Sequence, residues 1–457
     1  MINCKLKMIE QMSEGNGLEA VYEDITVQGV SIDSRTVKTG NLFIPIQRQL
    51  NGHDYVEAAY SQGAAASFWQ KDHPNPPQHI PLIYVDDCLE ALQALAAHYR
   101  KELSVKVIGV TGSNGKTTTK DMINSVLGTT FRVHKTTGNL NSQIGLPLTI
   151  LEMEKNAEIA VLEMGMSERG QIERLSEIAK PDLAVITMIG VSHLSTLGSR
   201  EEIAAAKLEI VNGLPDNGVL IYNGDEPLLS DRLKEITSKQ ALSTITFGEG
   251  EANGIHVTSS VTNPEGSFFT VEDHPFFIPL LGAHNISNAL AAIAIASKLG
   301  LSPTEIDSGF RALQVTGMRM EKIVSSSGIA IINDAWNASP VSMSAAIKTF
   351  EELTGYARKF LVLGDMLELG DQEQEFHREI GRIVDSGKID FVYTFGNLAR
   401  HIAEEAQARF PEGHVQSFLD KEKLTQVLKK RVKPNDAVLL KGSRGMQLEF
   451  VIPELLC

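Results

Sequence analysis

The chain has 457 residues, enough for roughly two to four domains that each bury a core. Its formal charge of −15 argues against nucleic acid and against an anionic membrane surface as partners. The three cysteines, Cys4, Cys88 and Cys457, are far apart and lack metal spacing, which fits a reducing cytosol. The sequence has no signal-peptide core and no apolar run of membrane-spanning length, so a cytoplasmic location without integral membrane association is expected.

In chain order, a first block runs to about residue 102. It has short strand-like runs at Gly29–Ile32, Leu42–Ile46, Ala65–Trp69 and Leu82–Val85. Helical patterns lie near Tyr55–Ser61 and Leu89–Tyr99, and the Pro-rich loop His73–Pro77 splits the block. A second block, over residues 103–316, alternates strands (Val105–Val110, Ile159–Leu162, Leu183–Met188, Val219–Tyr222) with helices, the last from His284 to Leu299. Turn clusters at Gly248–Gly250 and Asn263–Gly266 suggest a small β excursion over about residues 243–280. A third block, 317–457, has strands at Ile329–Ile332, Phe360–Leu363, Phe391–Phe395 and Ala437–Leu440. Strands alternating with helices predict three α/β domains with parallel sheets covered on both faces.

The second block opens on its most informative stretch, Val110-Thr111-Gly112-Ser113-Asn114-Gly115-Lys116-Thr117-Thr118. An apolar strand precedes it, and an apolar-periodic helix (Met122, Ile123, Val126, Leu127) follows, as a phosphate-binding loop requires. Gly112 and Gly115 let backbone N–H groups surround a polyphosphate, Lys116 reaches the terminal phosphates, and the Thr117 hydroxyl is placed for Mg²⁺. The general pattern wants its first glycine at position 110, which is Val, so the loop belongs to a subclass; the competing reading is a glycine turn with an incidental lysine.

Farther on, Glu163 ends the strand Ile159–Leu162, where ligands of open α/β sheets collect. It is either a Mg²⁺ ligand or a surface carboxylate in a turn. His193 follows the next strand and, taken alone, reads as a solvated or capping histidine. Lys207, in Ile203–Ile210, reads as a snorkelling surface lysine. Asn285 and Asn288, three apart at the start of a helix, either read a purine edge or cap the helix. In the third block Asp334 follows a strand, Pro340 suits a first helical turn, Gly364–Gly370 repeats the strand-end pattern, and Lys441, Ser443 and Arg444 sit on the last glycine turn. Together these edges are expected to form a cleft facing the nucleotide.

Thr111–Thr118 resembles the nucleotide loop of the Mur ligase family, which departs from the general glycine spacing in the same way. The resemblance spans nearly the whole chain. It takes in Ser31–Arg35 and Asn51–Asp54 in the first block, Asn139–Pro147 as a substrate-facing segment, Gly282–Ala292, and the step Gly317-Met318-Arg319. Gly364–Gly370 and Lys441–Arg444 are most similar to the member whose amine is D-alanyl-D-alanine.

The resemblance implies a uridine-nucleotide domain over 1–102, a central P-loop mononucleotide-binding domain over 103–316 and a C-terminal Rossmann-like domain over 317–457. It implies an ATP-dependent carboxylate–amine ligase that acts on UDP-N-acetylmuramoyl-tripeptide and D-alanyl-D-alanine in peptidoglycan precursor synthesis, as a monomer. ATP would be held by Gly112 to Thr118, with Asn285 and Asn288 at the adenine, Asp334 near the ribose and Arg319 at the phosphates. Thr117 and Glu163 would share one Mg²⁺, and His193 with a carbamylated Lys207 a second. Ser34 and Arg35 would hold the uridine diphosphate, with Asn139, Ser443 and Arg444 also facing substrate. Trp336 stands where Tyr is commoner, and Ser142 and Ser339 where Asn is commoner; Gln47–Leu50 lacks an expected glycine. Other ligases of the superfamily, including folylpolyglutamate synthase, and a non-catalytic nucleotide-binding module are the rival readings.

Overall fold

The computed structural model describes residues 1–237, 242–263 and 265–456. Among these, strands and helices alternate along three successive sheets, preceded by a small antiparallel pair, Asn3–Lys5 with Thr26–Gln28. The first main sheet is parallel, in the order Val30–Ser31, Leu42–Phe43, Ala66–Gln70, Leu82–Val85. Its first two strands are shorter than the sequence predicts. Gly29 turns at φ +76, and Pro45, which lacks an N–H, cannot extend the ladder beyond Ile44.

The central sheet has nine strands. From the outer edge they run His274–Ile278, Gly266–Val271, Ile255–Asn263, Ser243–Gly248, Val219–Asn223, Leu183–Ile186, Lys106–Thr111, Ile159–Glu163 and Val133–Lys135. The expected β excursion is therefore an arm of this sheet. Ile255–Asn263 pairs in parallel with Ser243–Gly248, and two antiparallel strands follow. Alternation along the strands sorts side chains to two faces. Ile108, Val110, Val161 and Val185 enter one core; Val107, Leu162, Ala184 and Ile186 enter another. That second core does not stop at residue 102, because Leu42, Phe68, Leu92, Leu95 and Tyr99 belong to it too.

The third sheet runs Glu321–Val324, Ala330–Asp334, Ala437–Lys441, Lys359–Gly364, Phe391–Phe395 and Val415–Phe418, parallel except for its first strand. The sequence pattern does not mark Glu321–Val324, Val415–Phe418, Val133–Lys135 or the N-terminal pair. All are short edge or near-edge strands whose polar residues hide the period. Register then assembles the functional edge. Thr111 lies opposite Ile186, and Val110 opposite Glu163, in the central sheet; Asp334 lies opposite Lys441 in the third.

Candidate active site

The segment Gly112–Gly115 links the strand Lys106–Thr111 to the helix Lys116–Leu127. Both glycines are required there. A Cβ at Gly112 (φ +145) would lie 1.9 Å from Thr187 Oγ1, and one at Gly115 (φ +83) 2.4 Å from Asn288 Oδ1. The loop is fixed by its neighbour strand: the Ser113 N–H donates to the Met188 carbonyl (2.9 Å), and the Thr187 hydroxyl donates to the Asn114 carbonyl (2.6 Å). The Lys116 ammonium donates to the Gly112 carbonyl at 2.8 Å, and Ser113 Oγ is buried with no partner. A helix N-terminus, an inward lysine and an orphaned hydroxyl form a cradle for an anion.

Glu163 is the last residue of its strand and 2 % exposed, which rules out the surface-turn alternative. Its Oε2 accepts from the Thr117 hydroxyl at 2.9 Å and its Oε1 from the Asn141 amide at 2.7 Å. A hydroxyl beside a carboxylate suits a hard cation that keeps water and takes phosphate oxygens, so these two residues fit Mg²⁺. No group of three or more His, Cys, Asp or Glu among the described residues makes a metal cage by itself.

Lys207, expected at the surface from sequence alone, is 1 % exposed. The run Ile203–Leu208 is buried throughout, so the lysine has nowhere to snorkel. Burial pushes its pKa well below the usual lysine value; Lys116 pushes the same way and Glu209 opposes. His193 sits at φ +66 before the short helix Leu194–Leu197 and makes no capping bond. Burial, then the charges of Lys207 and Lys116, lowers its pKa to about 4, so the ring is neutral at pH 7. Its Nδ1 lies 3.4 Å from Glu368 Oε2 of the third sheet's edge. An ammonium at Lys207 does not fit a metal site, whereas its carbamate would supply oxygens and negative charge.

The helix Ala283–Lys298 starts from Gly282 without any side-chain cap. The Asn285 amide donates to the Leu281 carbonyl (2.9 Å), and the Asn288 amide to Asn285 Oδ1 (3.2 Å). The capping alternative therefore fails: both amides are buried and line a cavity of about 490 Å³. Ser113, Asn114, Gly115, Lys116, Thr117, Thr118, Asn139, Glu163, Arg319, Asp334 and Arg444 line it as well. Asp334 pairs with Lys441 at 2.5 Å and accepts from the Met320 N–H at 3.0 Å. Arg319 Nε is buried without a partner, and Trp336 faces two guanidiniums, Arg319 at 5.7 Å and Arg444 at 5.4 Å. Unpaired buried donors on a polar wall invite an anion.

Several expected residues lie outside this cavity. His193 and Lys207 do not line it, though the charge of Lys116 acts on both. Ser34 is half-buried, and the exposed Arg35 folds back on Asp33 (2.7 Å). Ser443 accepts from the Leu367 N–H (3.0 Å) and donates its own N–H to the Asp365 carbonyl (3.0 Å), so it braces the neighbouring loop. The cavity also uses Asn141, from the segment expected to face substrate, and Asn223, His284 and Trp336, to which the sequence assigns no role. His284 adjoins Asn285; Asn223 carries no signal beyond its place at a strand end.

Three family models match the chain: Mur ligase family, catalytic domain, over residues 26–100; Mur ligase middle domain, over 110–296; and Mur ligase, glutamate ligase domain, over 318–444. The chain is 50 % identical over 459 aligned residues to the UDP-N-acetylmuramoyl-tripeptide–D-alanyl-D-alanine ligase of Bacillus subtilis, covering 100 % of this chain and 99 % of that one. Its structure resembles MurF from Acinetobacter baumannii (TM-score 0.89, 27 % identity, 100 % and 99 % covered). It also resembles the MurF ligase from Thermotoga maritima in complex with ADP (TM-score 0.80, 29 % identity, 94 % and 98 % covered).

Proposed function

The chain belongs to the Mur ligase family, and from that premise we propose that it joins D-alanyl-D-alanine to UDP-N-acetylmuramoyl-tripeptide with ATP, in peptidoglycan precursor synthesis. The observation that carries the assignment is 50 % identity to a ligase of that name across the full chain. The cavity between the central and third sheets is suited to the chemistry. A tripeptide carboxylate oxygen attacks the γ-phosphorus, the bond to ADP breaks, and an acyl phosphate forms. The dipeptide amine then attacks the acyl carbon, the C–O bond to phosphate breaks, and the amine loses a proton.

The difficulty is bringing an anion onto a polyanion. Burial disfavours the charged forms of Lys116 and Arg319 in the empty cavity, so an arriving polyphosphate would stabilise both cations and be neutralised by them. Thr117 and Glu163 would hold one Mg²⁺, which supplies further neutralisation of the phosphates. Lys207, with its pKa depressed, is poised to add carbon dioxide as a neutral amine, forming the N–C bond of a carbamate and releasing a proton. That carboxylate, with His193, would hold a second Mg²⁺. Asn285 and Asn288 read the adenine, Asp334 serves the ribose, and Asn139 and Arg444 face the acceptor. Ser34 and Arg35 hold the uridine diphosphate, with Arg35 released from Asp33.

We assign these roles to an N-terminal domain over 1–102, a central domain over 103–316 and a C-terminal domain over 317–457. The enzyme would act as a monomer in the cytoplasm; among the described residues no helix is long and apolar enough to cross a membrane. Phosphate release measured with ATP, UDP-N-acetylmuramoyl-tripeptide and D-alanyl-D-alanine, omitting each in turn, tests the proposal. Release should require all three, and equal release with a different amine would assign the chain to another ligase of the family.

A further inference from the structure

Asp121 is a fully buried carboxylate in the helix that carries the phosphate loop, and none of the steps above uses it. Its Oδ2 accepts two hydrogen bonds from one residue, the Thr316 N–H and the Thr316 hydroxyl, both at 2.8 Å. Its Oδ1 accepts from the Lys135 ammonium at 2.7 Å, and the buried Lys120 ammonium lies 3.7 Å away. A carboxylate withdrawn from water this completely persists only when its oxygens are satisfied, and here one of them is satisfied wholly by Thr316.

Thr316 lies in the connection between the helix Pro303–Arg311, on the central sheet, and the strand Glu321–Val324 of the third sheet. Three residues after it comes Arg319. On either side of Arg319 stand Met318 (φ +62) and Met320 (φ +52), left-handed conformations that non-glycine residues adopt only when their surroundings impose them. The Met318 N–H donates to Glu321 Oε2 (2.9 Å) and the Met320 N–H to Asp334 Oδ1 (3.0 Å). The joint is thus tied at its start to the phosphate-loop helix and at its end to the third sheet. The arginine between them points a partnerless Nε into the cavity wall.

We infer that Asp121 is a positioning residue for the ligation: by holding Thr316 against the helix that begins at Lys116, it aims Arg319 at the phosphates that the same helix cradles. One rigid element then sets both the position of the nucleotide and the position of the cation that meets it across the joint. This rests on the reading of Arg319 as a phosphate ligand.

The test uses the full chain as Thr316→Val, Thr316→Ser, Asp121→Asn and Arg319→Ala, and the first and third combined with Arg319→Ala. The readouts are kcat for ligation and Kd for ADP. Misplacing Arg319 by about an ångström should lower kcat about 10- to 100-fold in Thr316→Val and Asp121→Asn. Kd for ADP should change by less than about twofold, and Thr316→Ser, which keeps the hydroxyl, should recover most of the rate. With Arg319→Ala already present, either substitution should lower kcat by less than about twofold more. Losses that multiply in the Arg319→Ala background, or unchanged kcat in both single variants, would overturn the inference and leave the function standing. A fully active Arg319→Ala would overturn the phosphate reading of Arg319 and this inference with it.

Discussion

The protein has two joints between its sheets, and they are built from opposite materials. Where the N-terminal sheet meets the central one, Leu92, Leu95 and Tyr99 share a single apolar core with Leu148, Ile150, Ile172 and Leu175. Backbone closes the seam: the Tyr99 hydroxyl donates to the Met153 carbonyl at 3.0 Å, and the Ile2 N–H to the Leu151 carbonyl at 2.7 Å. Where the central sheet meets the third, Leu281 is the one residue before 317, among those described, that enters the third sheet's core. Polar contacts cross there instead: Asn114 to Ser339 Oγ at 3.2 Å, Ser195 to the Glu368 carbonyl at 3.3 Å, and His193 beside Glu368. Apolar burial is non-directional and strong in bulk, so the first joint is a weld. A few hydrogen bonds around a polar cavity exchange readily with water, so the second joint is the one expected to open for substrates and close over an acyl phosphate.

The contrast predicts that damage at the two joints appears in different measurements. At the polar joint, Lys116→Ala should lower ligation by about 1,000-fold while leaving the unfolding free energy nearly unchanged, since removal of one preorganised charge costs on this order. Lys207→Ala should lower ligation on the same order but also cost stability, because Lys207 is buried and its loss leaves a cavity. Acetate should partly rescue Lys207→Ala by replacing the carbamate. Near-normal turnover of Lys207→Ala in bicarbonate-free buffer would remove that lysine from the metal site. At the welded joint, Leu95→Ala should cost about 2–5 kcal/mol in urea unfolding and leave kcat intact where the enzyme is folded. A lost kcat with unchanged stability would mean that the first joint also moves.

Asn285→Ala or Asn288→Ala should weaken ATP binding by about 1–3 kcal/mol, raising the KM for ATP more than that for the peptide substrates. Unchanged ATP dependence in both would remove the amides from the adenine site.

Stability in the N-terminal domain should also depend on pH. Burial lowers the His53 pKa from 6.5 to about 4, with His73 adding to the shift. Its Nε2 accepts the Gln70 N–H at 3.1 Å, which requires a neutral ring. The unfolded chain binds that proton first, so the stability from a neutral His53 is complete above about pH 6.5 and is lost as pH falls toward about 4. His53→Gln should flatten urea midpoints across that window; an unchanged slope would place the acid sensitivity elsewhere.

The sequence made the phosphate loop legible because strand, glycine, lysine and helix are contiguous, and the structure brings Gly115, Lys116 and Thr117 to one cavity with Glu163. It left Lys207 misread, because burial of a lysine depends on what covers its helix, and no local period records that. It gave no hint of the shared core across residue 102, since packing between separate segments leaves each with an ordinary apolar pattern. Asp121 is hidden in the sequence for a related reason. A Lys-Asp pair in a helix looks like a solvated face until Thr316, 195 residues on, is seen bonded to it.

Everything proposed for the polar joint depends on a substrate carboxylate meeting the γ-phosphate there. Tripeptide labelled with heavy oxygen in the reacting carboxylate, turned over with unlabelled ATP and D-alanyl-D-alanine, tests it by mass spectrometry of the released phosphate. One labelled oxygen should be carried into each phosphate. Phosphate free of label, released at the rate of amide formation, would contradict it.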